Sequence, residues 1–186
     1  MNRALILTGA PGAGKSAVLD ALATLLEIEA TEHGAIESEQ LARGLPLLDA
    51  EAWTAQLASV LAIQRRAGRS LFLIVATTET ELQLRAVLDA TRAERSLVIA
   101  LQAPAELIAE RLALREPDGW PGELRLIAHA RALADVIPRL AGVDAVIDTT
   151  ARAPQEVAAE IRREMSRGEL IPVARDVRAG ADSAPE

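Results

Sequence analysis

The stretch GAPGAGKS, residues 9–16, decides the fold class of this chain. It satisfies the pattern G-x-x-x-x-G-K-[ST], and it follows an apolar run and opens an amphipathic one. Glycines let backbone N–H groups turn inward around a polyphosphate, and the start of a helix adds partial positive charge. The pattern therefore predicts a phosphate-binding loop rather than a glycine-rich turn that only caps a helix. Its residues are Gly9, Ala10, Pro11, Gly12, Ala13, Gly14, Lys15, Ser16 and Ala17.

Lys15 is the only lysine in a chain with 20 Lys and Arg residues. A slender ammonium reaches between two phosphates as a point charge, whereas a planar guanidinium is wider and has a fixed fork-shaped arrangement of donors. We infer that this geometry retains a lysine where the rest of the chain uses arginine. The hydroxyl of Ser16 is the predicted ligand of a Mg²⁺ ion that accompanies the phosphates.

Composition excludes several other classes of function. The 186 residues fit one domain, and the net charge of −7 disfavours nonspecific binding to nucleic acid. The absence of cysteine excludes disulfides and thiolate nucleophiles, and the two histidines are too few for a histidine-rich metal site. No apolar run reaches the length of a signal-peptide core or a membrane span, so we expect a cytoplasmic protein without membrane contact.

Apolar runs alternate with amphipathic stretches along the chain. The predicted strands are 3–8, 34–37, 70–76, 96–101 and 144–149, and the predicted helices are 15–26, 49–68, 79–92, 104–116, 124–140 and 153–168. Such alternation predicts an α/β fold with a parallel sheet covered on both faces. Ligands of these sheets bind at the carboxyl ends of the strands, so the residues that follow each strand are the candidates for a site.

We expect one domain, residues 1–168, followed by a partly disordered tail over 169–186. The breaker cluster PDGWPGE, residues 117–123, predicts a short lid over about 116–131. Trp120 lies between breakers, where it can stack on a ligand or pack against the base of the lid. Trp53 has helical spacing with Leu57, which predicts a core or pocket-wall position.

The size and the layout point to a small kinase among phosphate-loop proteins. Lys15 is the only lysine and Asn2 the only asparagine, so the guanine-reading motif N-K-x-D of typical GTPases is excluded. The chain is also short for a ring-forming ATPase.

At these residues the chain resembles the small P-loop kinases, the superfamily of nucleoside, nucleotide and small-molecule kinases. The resemblance covers about residues 3–165, and the stretch EHGAIES is most similar to chloramphenicol phosphotransferases, with a further likeness to gluconate kinases. The segments that carry it are LTGAPGAGKSAVLDAL, HGAIESEQLARG, LQAPAELIAERLALRE and DAVIDTTARAPQEVAAEI.

This resemblance implies a three-layer α/β/α P-loop fold with a five-stranded parallel sheet, a short lid, ATP and Mg²⁺ as cofactors, and phosphoryl transfer to a small molecule. It implies that Arg111 lies against the adenine, that Arg115 contacts phosphates, and that the loop of Arg152 borders the adenine. Arg111 and Arg115 also share one helix face, where they can instead form a solvated pair with neighbouring glutamates. Arg125 and Arg131 follow the lid and are further candidates for closing over the phosphates.

Glu37 ends the second predicted strand and is the candidate that orients the acceptor hydroxyl and accepts its proton. Glu39 is the alternative carboxylate, and both can instead belong to the first turn of a helix. Arg43 and Thr78 complete the predicted acceptor side. The third strand departs from many P-loop proteins because it ends without the aspartate that helps to hold Mg²⁺.

Three functions remain open from the sequence. The leading one is an ATP-dependent kinase that acts on a hydroxyl of a metabolite or antibiotic, working as a monomer or homodimer. A nucleoside or nucleotide kinase needs arginines at the acceptor phosphate, and the candidates are Arg43, Arg65, Arg66, Arg69 and Arg85. A nucleotide-binding regulator without turnover is the third.

Overall fold

Five parallel strands form one sheet with helices on both faces, in a computed structural model that describes residues 1–117 and 120–170. The strands are β1 (Arg3–Thr8), β2 (Gly34–Glu37), β3 (Leu71–Val75), β4 (Arg95–Gln102) and β5 (Ala145–Asp148), in the spatial order β2-β3-β1-β4-β5. The helices are α1 (Lys15–Ile28), α2 (Ser38–Leu41), α3 (Ala50–Arg66), α4 (Glu81–Thr91), α5 (Ala105–Arg115), α6 (Glu123–Ala134) and α7 (Pro154–Arg167), with a 3₁₀ turn at Ile137–Arg139. The predicted three-layer α/β fold is confirmed.

The central strands are buried on both faces because helices cover each side of the sheet. Alternate residues of β1 point to opposite faces, so Leu5 packs with α1 and α7, whereas Ile6 packs with α3 and α4. Ile6 lies between Ile74 of β3 and Val98 of β4 in parallel register. Each such aliphatic side chain contributes about 2 kcal/mol of transfer free energy on burial.

The predicted elements agree in type and order with the observed ones, except that the short helix α2 was not among the predicted helices and that the region after the lid differs. Residues 124–140 were expected as one helix, but α6 ends at Ala134 and a short 3₁₀ turn follows. Pro138 explains this end, because it lacks an amide hydrogen and its ring would clash with the carbonyl of Ala134 in a continued helix. Residues 171–186 of the predicted tail and residues 118 and 119 of the predicted lid lie outside the described residues.

Leu170 lies beyond the expected end of the domain at 168, yet it is fully buried against α1 and α7. Over the described ranges, 1–117 and 120–170, none of the helices combines the length and the hydropathy that crossing a membrane requires.

The loop from β1 to α1 approaches β4 closely at its first residue. Gly9 has a φ of 145°, and a Cβ atom there would lie 2.5 Å from the carbonyl oxygen of Leu101. Only glycine fits, because an added methyl group meets a backbone atom of the sheet that cannot move aside.

The variant Gly9→Ala should lower the free energy of unfolding by about 3 kcal/mol, from backbone strain and from overpacking against Leu101. Gly168→Ala is the matched control, because Gly168 has a φ of −77° and an added Cβ would meet its nearest neighbour at 3.4 Å. Urea unfolding followed by circular dichroism measures both. Equal stability of the two variants would contradict this account of the loop.

Candidate active site

A cavity of about 790 Å³ opens at the carboxyl edge of the sheet, where the phosphate loop, the end of β2 and the end of α5 meet. It has an arginine-containing wall from α5 and a carboxylate-containing wall from β2 and α2. The lining residues are Pro11, Gly12, Gly14, Lys15, Ser16, Ala17, Glu37, Glu39, Gln40, Arg43, Thr77, Arg111, Arg115 and Glu116.

Lys15 is the first residue of α1, and only 8% of it is exposed. Its Nζ donates hydrogen bonds to the carbonyl oxygens of Gly9 at 2.8 Å and Ala10 at 3.1 Å, so the loop itself holds the ammonium. Burial lowers the pKa of Lys15 to about 8; Glu39 opposes this lowering, Arg115 adds to it, and Glu37 opposes it least. An anion bound in the cavity would favour the charged form of Lys15 and so oppose the lowering of its pKa.

Glu37 ends β2 beside Val75 of β3, so the sheet itself brings its carboxylate to the cavity. Its Oε1 atom is buried, and within the described part of the chain it has no hydrogen-bond partner. A buried carboxylate oxygen without a donor is costly, so a bound molecule that donates a hydrogen bond to it would be favoured.

The short helix α2 is tied to the sheet and to α3 by three hydrogen bonds. The hydroxyl of Ser38 donates to the carbonyl oxygen of Val75 at 2.7 Å. From α3, Trp53 Nε1 donates to the carbonyl oxygen of Ser38 at 3.2 Å, and Gln56 Nε2 donates to that of Leu41 at 2.7 Å. Sequence reasoning missed Gln56. Its signal in the sequence is a polar residue that lies three positions after Trp53, on the apolar stripe of the helix.

The residues after β3 differ from the prediction. Thr78 was assigned to the acceptor side, but it is fully buried and its hydroxyl lies 2.8 Å from that of Thr8, so it does not line the cavity. The reason is the backbone turn after β3, which points Thr78 inward and leaves Thr77 at the surface of the cavity. The amide of Thr77 donates to Glu39 Oε1 at 2.7 Å.

Arg111 crosses from α5 to the loop after β5. Its guanidinium donates to the hydroxyl of Thr149 at 3.1 Å and to the carbonyl oxygen of Thr149 at 2.9 Å. The Thr149 hydroxyl in turn lies 3.1 Å from the carbonyl oxygen of Ala13. Arg111 therefore joins the phosphate loop to the loop after β5 and still lines the cavity.

Arg115 also lines the cavity, where its guanidinium pairs with the carboxylate of Glu116. Arg152 does not line the cavity. Its guanidinium Nη1 donates to the carbonyl oxygen of Asp148 at 3.0 Å, and Nη2 forms an ion pair with Glu160 at 2.7 Å. Arg111 and Arg115 are thus brought together with the phosphate loop, whereas Arg152 is held by its own loop and helix.

The other arginine candidates are placed away from the cavity, with the exception of Arg43. Arg65 donates to the carbonyl oxygen of Thr91 and lies 5.7 Å from the ring centre of Phe72. Arg131 pairs with Glu106. The cavity-lining set also lacks Arg66, Arg69, Arg85 and Arg125.

The two tryptophan candidates and the two histidines all have contacts within the protein. Trp53 is half-buried in the core, and the ring of Trp120 lies over Gly122 at the base of the lid. His129 of α6 lies 2.8 Å from Glu79, and His33 Nδ1 lies 2.9 Å from the carbonyl oxygen of Thr31.

The oxygen atoms at the cavity suit a hard divalent cation. They come from the hydroxyl of Ser16 and the carboxylates of Glu37 and Glu39. Among residues 1–117 and 120–170, no three acidic or imidazole side chains form a ready-made metal cluster. This set fits Mg²⁺, which keeps several waters and shares phosphate oxygens with one or two protein ligands.

Lys15 makes the alkaline stability of this protein simple to interpret, because the chain has no other lysine and no tyrosine or cysteine. Its pKa of about 8 in the folded state lies below the ordinary value of 10.5, so between these values the unfolded state binds more protons. Stability should therefore rise with pH in that window, by on the order of 2 kcal/mol from pH 8 to 9.5.

Urea unfolding at pH 7.5 and 9.5 measures this rise, and Lys15→Met serves as the control because it lacks the titrating group and keeps a long apolar side chain. The variant should lose most of the rise. Identical pH slopes in the two proteins would contradict the buried, partly neutralised state of Lys15.

Solved structures with the same fold cover almost the whole chain. A sugar kinase from Janibacter sp. HTCC2649 is 20% identical, with a TM-score of 0.64, over 92% of this chain and 97% of that chain. Shikimate kinase from Acinetobacter baumannii, in complex with shikimate, is 19% identical, with a TM-score of 0.58, over 92% and 97%. A gluconokinase from Sinorhizobium meliloti 1021 is 23% identical, with a TM-score of 0.56, over 89% and 90%. These structures confirm the resemblance to small P-loop kinases at the level of the fold.

No curated protein matches the sequence. The sequence model of one family, described as AAA domain, matches residues 5–140. The matched region includes most of β1, the phosphate loop and the strands β2 to β4. It also includes α5, which carries the arginine-containing wall, and α6, which follows the lid. Because the match spans most of the 186 residues, the chain belongs to this AAA domain family.

Proposed function

We propose that this protein is an ATP-dependent kinase that transfers the γ-phosphoryl group to a hydroxyl of a small molecule. One observation carries the proposal: a single cavity contains both the phosphate loop with its buried Lys15 and the carboxylate of Glu37 with its unpartnered oxygen. Three solved structures of the same fold that are kinases by name support the proposal.

In this mechanism the loop amides and Lys15 bind the β- and γ-phosphates, and Lys15 exchanges the carbonyl oxygens of Gly9 and Ala10 for phosphate oxygens. Arg115 leaves Glu116 and neutralises charge on the transferred group. Mg²⁺, when bound at Ser16, neutralises phosphate charge. Arg111 borders the nucleotide base, and the same role is proposed for the loop that carries Arg152.

On the acceptor side, Glu37 accepts a hydrogen bond from the acceptor's hydroxyl group. This bond orients the hydroxyl oxygen towards the γ-phosphorus. A bond forms between this oxygen and phosphorus while the bond from phosphorus to the β–γ bridging oxygen breaks, and ADP leaves. The hydroxyl proton passes to Glu37. The buried and unpartnered Oε1 of Glu37 is suited to this role because no protein donor competes for it.

The arginine positions favour a neutral or weakly charged acceptor over a nucleotide. A nucleotide kinase would need several arginines around the acceptor phosphate. Of the five sequence candidates, only Arg43 lines the cavity, and Arg65 is committed to α4 and Phe72. Gln40 and Thr77 also line the cavity and supply uncharged polar groups there.

The direct test is ADP release by the full chain with ATP and Mg²⁺, measured across a panel of sugars, sugar acids, polyol alcohols, hydroxylated antibiotics and nucleoside monophosphates. We expect at least one hydroxyl compound to raise the rate well above background hydrolysis, with a phosphate monoester detected by ³¹P NMR. A response to nucleoside monophosphates alone would make the protein a nucleotide kinase and overturn the proposal.

Removing the cation of the phosphate loop should abolish transfer. Lys15→Ala should lose activity and bind ATP more weakly but remain folded, and Lys15→Arg should also fail because the guanidinium does not fit between the phosphates. Arg163→Ala, on the exposed face of α7, is the control and should retain wild-type turnover. Steady-state kinetics with isothermal titration of ATP separates turnover from binding, and a fully active Lys15→Arg would refute the geometric argument.

Glu37→Gln keeps the size of the side chain but removes the base. We expect near-normal ATP binding with turnover reduced by roughly a hundredfold or more. Glu110→Gln, on the exposed side of α5, is the matched control with the same chemical change outside the cavity. If Glu37→Gln keeps wild-type kcat, Glu37 is not the group that orients the acceptor.

A further inference from the structure

A second cavity, of about 620 Å³, opens where β2 begins, whereas the candidate active site lies where β2 ends. Its walls come from the last turns of α1, the loop before β2 and the turn between α3 and β3. The apolar part of the lining consists of Ala23, Ala35 and Ala67, so the cavity has room for branched apolar side chains. We call this space the β2-start cavity.

Two carboxylates without an ion pair in the described part of the chain line the β2-start cavity. They belong to Glu27 and Glu32, and among residues 1–117 and 120–170 neither side chain takes part in a hydrogen bond. Arg69 also lines the cavity, but its guanidinium donates to the side-chain oxygen of Gln64. Both glutamates are therefore available to bind a cation.

The position of Glu27 makes a cation there more favourable. Glu27 lies in the last turn of α1, and that turn contains no basic residue. The last carbonyl groups of a helix carry partial negative charge, so an acidic side chain beside them is destabilising and a cation is stabilising. Glu29, just past the end of α1, already pairs with Arg162 of α7. The β2-start cavity therefore favours a ligand that carries positive charge.

The described part of the chain ends at Leu170, next to elements that line this cavity. Leu170 is buried in the same cluster as Leu26, which precedes a lining glutamate. The carbonyl oxygen of Leu170 accepts a hydrogen bond from Arg3 Nη1 at 2.6 Å. Nη2 of the same guanidinium donates to the hydroxyl of Ser70 at 3.3 Å, and Ser70 follows Arg69 of the lining. One guanidinium thus links Leu170 to the wall of the cavity.

The segment that follows, IPVARDVR over residues 171–178, has the chemistry that the cavity favours. An extended backbone would place Ile171, Val173, Arg175 and Val177 on one side, because side chains alternate along it. Three of these residues are β-branched, which favours the extended conformation. Eight extended residues span up to roughly 26 Å, so the segment is long enough to reach the cavity from Leu170.

We propose that residues 171–178 of this chain dock in the β2-start cavity, with Val173 against its alanine side chains and Arg175 paired with the carboxylates of Glu27 and Glu32. The docked segment covers the apolar lining and brings positive charge to the end of α1. This inference goes beyond the proposed function and does not depend on it, because the β2-start cavity and the candidate active site share no residue.

Cysteine cross-linking of the full chain tests the proposal, because the sequence contains no cysteine. Val173→Cys is combined with Ala67→Cys in the cavity or, as the matched control, with Ser96→Cys outside it. Both partner positions are exposed, and Ser96 precedes Leu97, which packs against the cluster that contains Leu170. A segment that samples all directions would therefore reach position 96 at least as readily as position 67.

Docking predicts that the disulfide with Ala67→Cys forms roughly tenfold faster or more than the disulfide with Ser96→Cys, because docking raises the effective concentration of the two thiols. Mild oxidation followed by mass spectrometry of the intact chain and of its peptides measures both rates. Far-UV circular dichroism of the reduced variants checks that each one is folded.

Charge variants in the Val173→Cys, Ala67→Cys background test the ion pair. Arg175→Gln should slow the disulfide roughly threefold, as should Glu27→Gln combined with Glu32→Gln, and joining all three changes should slow it no further. Arg178→Gln is the matched control with the same chemical change on the other side of an extended segment, and it should keep the original rate.

Equal rates at positions 67 and 96 would overturn the proposal, as would the absence of a disulfide at both. A disulfide between two chains, with a yield that rises with protein concentration, would show that the cavity takes this segment from a second copy, and it would overturn docking within one chain. A loss of rate in Arg178→Gln but not in Arg175→Gln would contradict the proposed ion pair.

Discussion

The site depends on a buried ammonium that its own loop holds in place. Lys15 lies at the start of α1, beneath a loop whose carbonyl oxygens at Gly9 and Ala10 accept its hydrogen bonds. Burial disfavours this charge and lowers the pKa of Lys15, so an anion bound at the loop would stabilise the ammonium. The close passage of Gly9 over the Leu101 carbonyl fixes the loop to the sheet. The cavity therefore has a buried cation, held by the loop, on its phosphate-loop side.

The second half of the cavity depends on how α2 is attached. Four residues of helix are too short to be stable alone, and hydrogen bonds from Ser38, Trp53 and Gln56 hold them against β3 and α3. This attachment presents Glu37 and Glu39 side by side but with different partners. One carboxylate oxygen is buried without a donor, and the other carboxylate is tied to the end of β3. The two glutamates therefore differ in their surroundings although they are the same residue type.

The outcome at individual residues shows which signals were reliable. The phosphate loop and the strand bounds followed from patterns within a few neighbouring residues, and Arg111 and Arg115 share the predicted helix face and reach the cavity. Thr78 did not follow, because whether a residue after a strand points inward or outward depends on the turn that the backbone takes. The helix after the lid was predicted too long because the apolar pattern continued through Pro138.

The sequence by itself determined the fold class, the phosphate loop and the single lysine within it, because these are written in local spacing: glycines at fixed offsets, apolar runs of strand length and helical periodicity. Tertiary structure alone decided which side chains share the cavity. It placed Glu39 beside Thr77, joined Arg111 to Thr149, and left Arg65 and Arg152 outside. These contacts join residues that are far apart in the chain. They arise from the order of the parallel strands in the sheet, which local sequence patterns do not reveal.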